Sequence, residues 1–109
     1  MLFIRSADGN IVWKHPIASL FEAWVLEDGS IVYSTGKTVE KIIPDFKEGE
    51  GRTPVWSYYY GTDAPSTPSS KGTIYTCTPI RDGNFLVTES GTFRLVEINS
   101  AGKIAQASR

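Results

Sequence analysis

Asp28-Gly29-Ser30-Ile31-Val32 returns 54 positions later as Asp82-Gly83-Asn84-Phe85-Leu86-Val87. Each copy follows an apolar run, at 21–26 and at 74–80. Asp-Gly pairs tolerate positive φ and suit the tight turn of a β-hairpin. Both copies therefore predict two strands joined by the same kind of turn. Apolar and polar residues alternate around these turns, as in Phe93-Arg94-Leu95-Val96-Glu97-Ile98. The runs are rich in β-branched and aromatic residues and end in Asp-Gly, Ser-Gly or Ala-Gly punctuation, which reads as short strands. No window of helical length carries an i, i+3, i+4 apolar stripe, so helix beyond a single turn is not expected.

A second signal lies outside this pair. Gly9-Asn10-Ile11-Val12-Trp13 is echoed by Pro54-Val55-Trp56 and by Gly102-Lys103-Ile104-Ala105-Gln106. The steps are 43 residues from Trp13 to Trp56 and 50 from Trp56 to Gln106. A period of this size with four short strands per copy is the mark of a β-propeller blade. The expected fold class is all-β: four-stranded antiparallel blades, an incomplete ring in one chain. One copy places strands at 21–26, 31–34, 39–43 and 55–59, the next at 74–80, 85–88, 93–99 and 104–107. Ahead of them, 2–6 and 10–14 read as the last hairpin of a preceding blade. The division is residues 1–14, a blade at 19–60, a loop at 61–73 and a blade at 74–107, about two and a half blades. The loop is rich in Pro and Ser and reads as a tolerated insertion. Lys47-Glu48-Gly49-Glu50-Gly51-Arg52 reads as a solvated turn.

Asp8-Gly9-Asn10-Ile11-Val12-Trp13 resembles the blade-closing strand of quinoprotein-like (PQQ-like) propellers, whose Gly-x-x-x-Trp ending docks a tryptophan between blades. The stretch from Ile74 to Gly91, and Arg94-Leu95-Val96-Glu97-Ile98 with Gly102-Lys103-Ile104, are similar to repeats of bacterial propellers of the quinoprotein and arylsulfotransferase-like kind. The resemblance covers nearly the whole chain and implies Trp13 and Trp56 as inter-blade packing residues. Gln106 departs from the pattern where the third tryptophan would stand. The quinone-enzyme ligand set, its calcium site and an adjacent-cysteine pair have no counterpart motif here. His15, in Lys14-His15-Pro16, reads as part of a connection and does not match the nucleophilic histidine of the arylsulfotransferases. The resemblance implies a fold and no activity; full-length relatives of this kind are often exported.

At 109 residues with a net charge of −1, and 11 scattered Lys and Arg, the chain carries no basic footprint for nucleic acid and no field for an anionic membrane. No apolar run is long enough for a signal peptide or a membrane span. The single cysteine, Cys77, cannot form an intrachain disulfide and reads as a small buried apolar filler. No cofactor, metal or catalytic constellation is expected. Glu89 and Arg94 are placed to pair across a turn, a contact worth little if exposed.

In a propeller the innermost strands line a channel, here 21–26 and 74–80. Glu22, Trp24, Tyr75 and Thr76 then form either a channel-facing ligand wall or a structural set, with Trp24 and Tyr75 in the core and Glu22 solvated. Two and a half blades leave faces uncovered, so Trp13, Trp56, Tyr58, Tyr60 and Phe93 are expected to be partly exposed. The expected partner is a second copy or the missing blades of the same chain. Two function classes follow: a non-catalytic binding or scaffold module for protein or carbohydrate, or a fragment of a propeller enzyme whose catalytic residues lie elsewhere.

Overall fold

The computed structural model describes residues 2–17, 19–64 and 72–108. Much of the expected 61–73 loop lies outside the described residues. The fold is all-β. Strands β1 (Leu2–Arg5) and β2 (Ile11–His15) pair as a hairpin, sheet I. Strands β3 (Glu22–Val25), β4 (Ile31–Ser34), β5 (Thr38–Pro44) and β6 (Arg52–Tyr59) form sheet II in sequence order. Strands β7 (Ile74–Pro79), β8 (Phe85–Glu89), β9 (Arg94–Ile98) and β10 (Ile104–Ser108) form sheet III in the same order. All pairing within these sheets is antiparallel.

The three sheets stack with sheet II in the middle, and two cores fill the seams. Trp13, Ile31, Tyr33 and Ile42, with Leu2 and Ile4, pack between sheets I and II. Val32, Val39, Tyr58, Ile74, Cys77, Phe85, Val87, Val96 and Ile98 pack between sheets II and III. Strand β4 shows why its sequence is a continuous apolar run. Ile31 and Tyr33 face one neighbour, Val32 faces the other, and all four residues are buried. Each fully buried aliphatic side chain stabilises by about 1.5–3 kcal/mol relative to exposure. Strand β8 alternates instead, with Phe85 and Val87 buried and Leu86 half-buried, because only one of its faces is covered.

The last strand of each sheet carries the same irregularity. Pairing skips one residue at Val12 in β2, at Val55 in β6 and at Ala105 in β10. Such a bulge re-aims the following side chain. It puts Trp13, Trp56 and Gln106 at one equivalent position, opposite Ile4, Lys41 and Glu97.

Three hairpin loops share one geometry. Ser6, Leu26 and Asn99 each close a turn with Gly9, Gly29 and Gly102, which take positive φ. The expectation that Asp28 and Asp82 make like turns is corrected. The backbone bond framing the loop is common to both, Leu26 to Ser30 and Ile80 to Asn84. Inside it, Asp82 and Gly83 both adopt positive φ within a short 3-10 turn, Arg81–Gly83, whereas Asp28 does not. Asp28 instead turns its carboxylate to the Ser30 N–H and hydroxyl, and Asn84 in the Ser30 position offers no such hydroxyl.

Two further expectations are corrected by burial. Trp13 and Tyr58 are buried rather than partly exposed, because each enters a seam between sheets. Trp56 and Tyr60 are half-buried, and Phe93 is 82% exposed. The 47–52 stretch is more than a solvated turn: Arg52 begins β6, and Glu50 bridges to Lys14 through the backbone. His15 ends β2 rather than lying in a connection.

Candidate functional site

The chemistry-bearing side chains collect at the seams, and the same two-residue device builds both. The bulge aims Trp13 at sheet II, where its indole N–H donates to the Gly51 carbonyl at 2.8 Å. Trp56 likewise reaches sheet III and donates to the Ser100 carbonyl at 3.0 Å. The acceptor in each case lies in the loop leading into the next sheet's last strand. An added Cβ on Gly102 would lie 2.6 Å from the Trp56 ring, so this glycine is required by close approach as well as by its φ of +78°.

Two residues after each tryptophan, a second ring crosses the same seam. His15 Nε2 accepts from Arg52 Nε at 3.1 Å and lies 3.4 Å from the Tyr33 hydroxyl. Arg52 also pairs with Glu40 at 3.1 Å, and the Tyr33 hydroxyl donates to Glu40 at 3.0 Å. An acceptor Nε2 requires the neutral ring, with its proton on Nδ1. Burial and then the Arg52 charge hold the His15 pKa below its ordinary value, against the pull of Glu40. Burial and the Glu40 contact push the Tyr33 hydroxyl up to about 12.

At the second seam Tyr58 donates to Glu89, which pairs with Arg94 at 2.6 Å. Arg94 also donates to the Tyr58 hydroxyl and the Thr62 carbonyl, and Glu89 accepts from Thr92 and the Gly61 N–H. The side chains of Glu89 and Arg94 are almost wholly buried, so the pair is not the weak surface contact its exposed form would be. Burial raises the Glu89 pKa, and the Arg94, Tyr58, Gly61 and Thr92 donors outweigh it and hold the carboxyl below its ordinary range. Reading residue by residue found the Glu89–Arg94 pair and missed the Tyr58, Thr92 and Gly61 donors that complete the network. Its signal was the spacing Trp13-Lys14-His15 and Trp56-Ser57-Tyr58, two rings on one face of a strand.

The residues expected at the inner edge separate into different roles. β3 and β7 are the edge strands of their sheets. The Glu22 carboxylate accepts from the Cys77 N–H at 2.6 Å and from the Thr78 hydroxyl, tying the two edges together. Thr76 shares a hydrogen bond with Thr88 at 3.0 Å. Trp24 and Tyr75 are not core: they are 39% and 51% exposed, and Tyr75 meets Phe21 edge-on at 5.4 Å. The structure thus brings Glu22 to β7 and leaves Trp24 and Tyr75 as an exposed aromatic rim beside it.

Cys77 is buried, and burial with the nearby Glu22 charge pushes its thiol up to about 12, which leaves no thiolate nucleophile at neutral pH. Among the described residues no group of three or more His, Cys, Asp or Glu is placed to hold a metal ion. No helix of the described residues is long and apolar enough to cross a membrane. In comparisons with known proteins, no family model matches the sequence and no curated protein matches it significantly.

Proposed function

We propose that this chain is a non-catalytic binding or scaffold module of the β-propeller type, its sheets acting as successive blades. The observation that carries the reading is the repeated seam: a bulged last strand aims a tryptophan at a carbonyl of the next sheet, twice, in the same direction along the stack. Repeat architectures are built this way, each unit covering its neighbour. The polar groups at the seams are spent on holding sheets together, and an exposed aromatic group, Trp24 on β3, Tyr75 on β7 and Phe21 just before β3, stands at the sheet edges. Such a rim suits a carbohydrate or an extended protein segment better than a reacting substrate.

The test is a glycan and peptide array probed with the folded chain. Binding that disappears in a Trp24→Ala/Tyr75→Ala variant of unchanged circular dichroism is the expected result. Binding that the double variant retains would remove the rim from the reading. The second reading is a piece of a propeller enzyme whose catalytic residues lie elsewhere. Flanking coding sequence that continues into further Gly-x-x-x-Trp repeats bearing catalytic ligands would establish that reading instead.

A further inference from the structure

We infer that Asp82-Gly83 is a self-modification site, at which Asp82 converts to isoaspartate, while the fold protects the other two Asp-Gly pairs, Asp8-Gly9 and Asp28-Gly29. The inference is independent of the binding-module reading.

The chemistry needs no reagent but water. The Gly83 backbone nitrogen attacks the Asp82 side-chain carboxyl carbon in its acid form. The N–Cγ bond forms, the Cγ–OH bond breaks, and the hydroxyl leaves as water with the amide proton, giving a succinimide. Water then adds to the Asp82 main-chain carbonyl carbon and breaks its bond to the old amide nitrogen, which takes up a proton. The main chain now runs through Cβ and Cγ, one methylene longer, and the mass is unchanged. Glycine favours the attack because it carries no side chain to crowd the nitrogen.

In sequence the three sites are alike. Each Asp-Gly pair lies in a hairpin turn between two strands, and a small polar residue follows it, Asn10, Ser30 or Asn84. All three pairs are also exposed. Side-chain partners separate them. The Asp8 carboxylate accepts from the Ser6 hydroxyl, from the Asn10 N–H at 3.2 Å and from the Asn10 amide at 3.1 Å. Asp28 Oδ1 accepts from the Ser30 N–H at 2.9 Å and hydroxyl at 2.5 Å. These donors, the serine hydroxyl first, hold both carboxyls below their ordinary pKa and so away from the acid form that can lose water.

The Asp82 carboxylate has no hydrogen-bond or ion-pair partner among the described residues. Asn84, in the place of Ser30, has its side-chain amide committed to Glu97 at 2.5 Å. Asp82 also holds φ at +60° in a turn with no buried residue, whereas Asp8 and Asp28 keep negative φ. A side-chain-bearing residue gains energy on leaving that left-handed conformation. Ring closure at Asp82 therefore releases strain, while at Asp8 and Asp28 it must first break hydrogen bonds.

The test is peptide mapping of the folded chain after prolonged incubation in near-neutral buffer, beside the same chain in urea. Isoaspartate is counted at each site by mass-spectrometric fragmentation. Dividing each folded rate by its rate in urea removes the influence of neighbouring residues. The ratio at Asp82 is expected to exceed those at Asp8 and Asp28 by about tenfold, the rate equivalent of one retained hydrogen bond. Asn84→Ser, which supplies the hydroxyl that Ser30 gives Asp28, is expected to slow Asp82 with circular dichroism unchanged. If freeing Glu97 disturbs the fold, Ser30→Ala is read instead and is expected to speed Asp28. Equal ratios at the three sites would overturn the inference, as would Asp8 or Asp28 leading in the folded chain. Neither result touches the array test of the binding-module reading.

Discussion

Sheets II and III have the same strand order and, apart from an irregularity at Ile74–Cys77 in β7, the same register, yet equivalent residues meet opposite fates. Val39 is buried and its counterpart Leu95 is half in water. Ala23 in β3 is exposed while its counterpart Cys77 in β7 is wholly buried. The cause is what lies on each side. Sheet II is covered by the full sheet III on one face but only by a two-stranded hairpin on the other, which leaves β3 bare and Val25 67% exposed. Among the described residues sheet III has a neighbour on one face. Burial in a stack is a property of the pair of sheets and not of either one.

The largest way to break this comparison is to remove a covered clamp and its uncovered counterpart. Trp13→Ala is expected to cost about 3–5 kcal/mol, and Gln106→Ala to stay within about 0.5 kcal/mol, both read from urea unfolding. A Gln106→Ala cost near that of Trp13→Ala would show that sheet III is covered in solution. Next come the two ion pairs. Glu89→Gln strands the buried Arg94 and is expected to cost about 3 kcal/mol, whereas Glu40→Gln, beside the more exposed Arg52, costs below about 1 kcal/mol. Equal losses would mean that the first seam is as dry as the second.

Two glycines sharpen the contrast further. Gly51 and Gly102 both hold positive φ, so alanine at either costs about 1–2 kcal/mol. A Cβ at Gly51 meets nothing, while at Gly102 it strikes the Trp56 ring. Gly102→Ala is therefore expected to melt at the lower temperature of the two, with Trp56 fluorescence shifted to the red. The smallest effect is with pH. His15 has a depressed pKa in the fold, so the unfolded chain binds the extra proton first. Stability present at neutral pH is lost as pH falls below about 6.5, and His15→Gln should flatten that slope. Glu89, also depressed, loses its contribution only at lower pH, below about 4.5. Melting temperatures across both windows separate the two seams, and a slope above pH 5 unchanged by His15→Gln would discard the histidine account.

Much of this was legible in the chain. Short strands with Asp-Gly punctuation follow from local alternation and turn chemistry, which operate within a few residues, and every strand end lies no more than three residues from expectation. The echo at Trp13, Trp56 and Gln106 was visible because a repeated seam demands a repeated residue. What only the tertiary structure decided was which faces are covered. That Trp13 and Tyr58 are buried and that the Glu89–Arg94 pair is interior depend on partners 31 to 38 positions away, and Trp24 and Tyr75 stand in solvent on the edge strands. The physical reason is that alternation tells which side chains share a face of a sheet, while the neighbouring sheet sets whether that face meets protein or water.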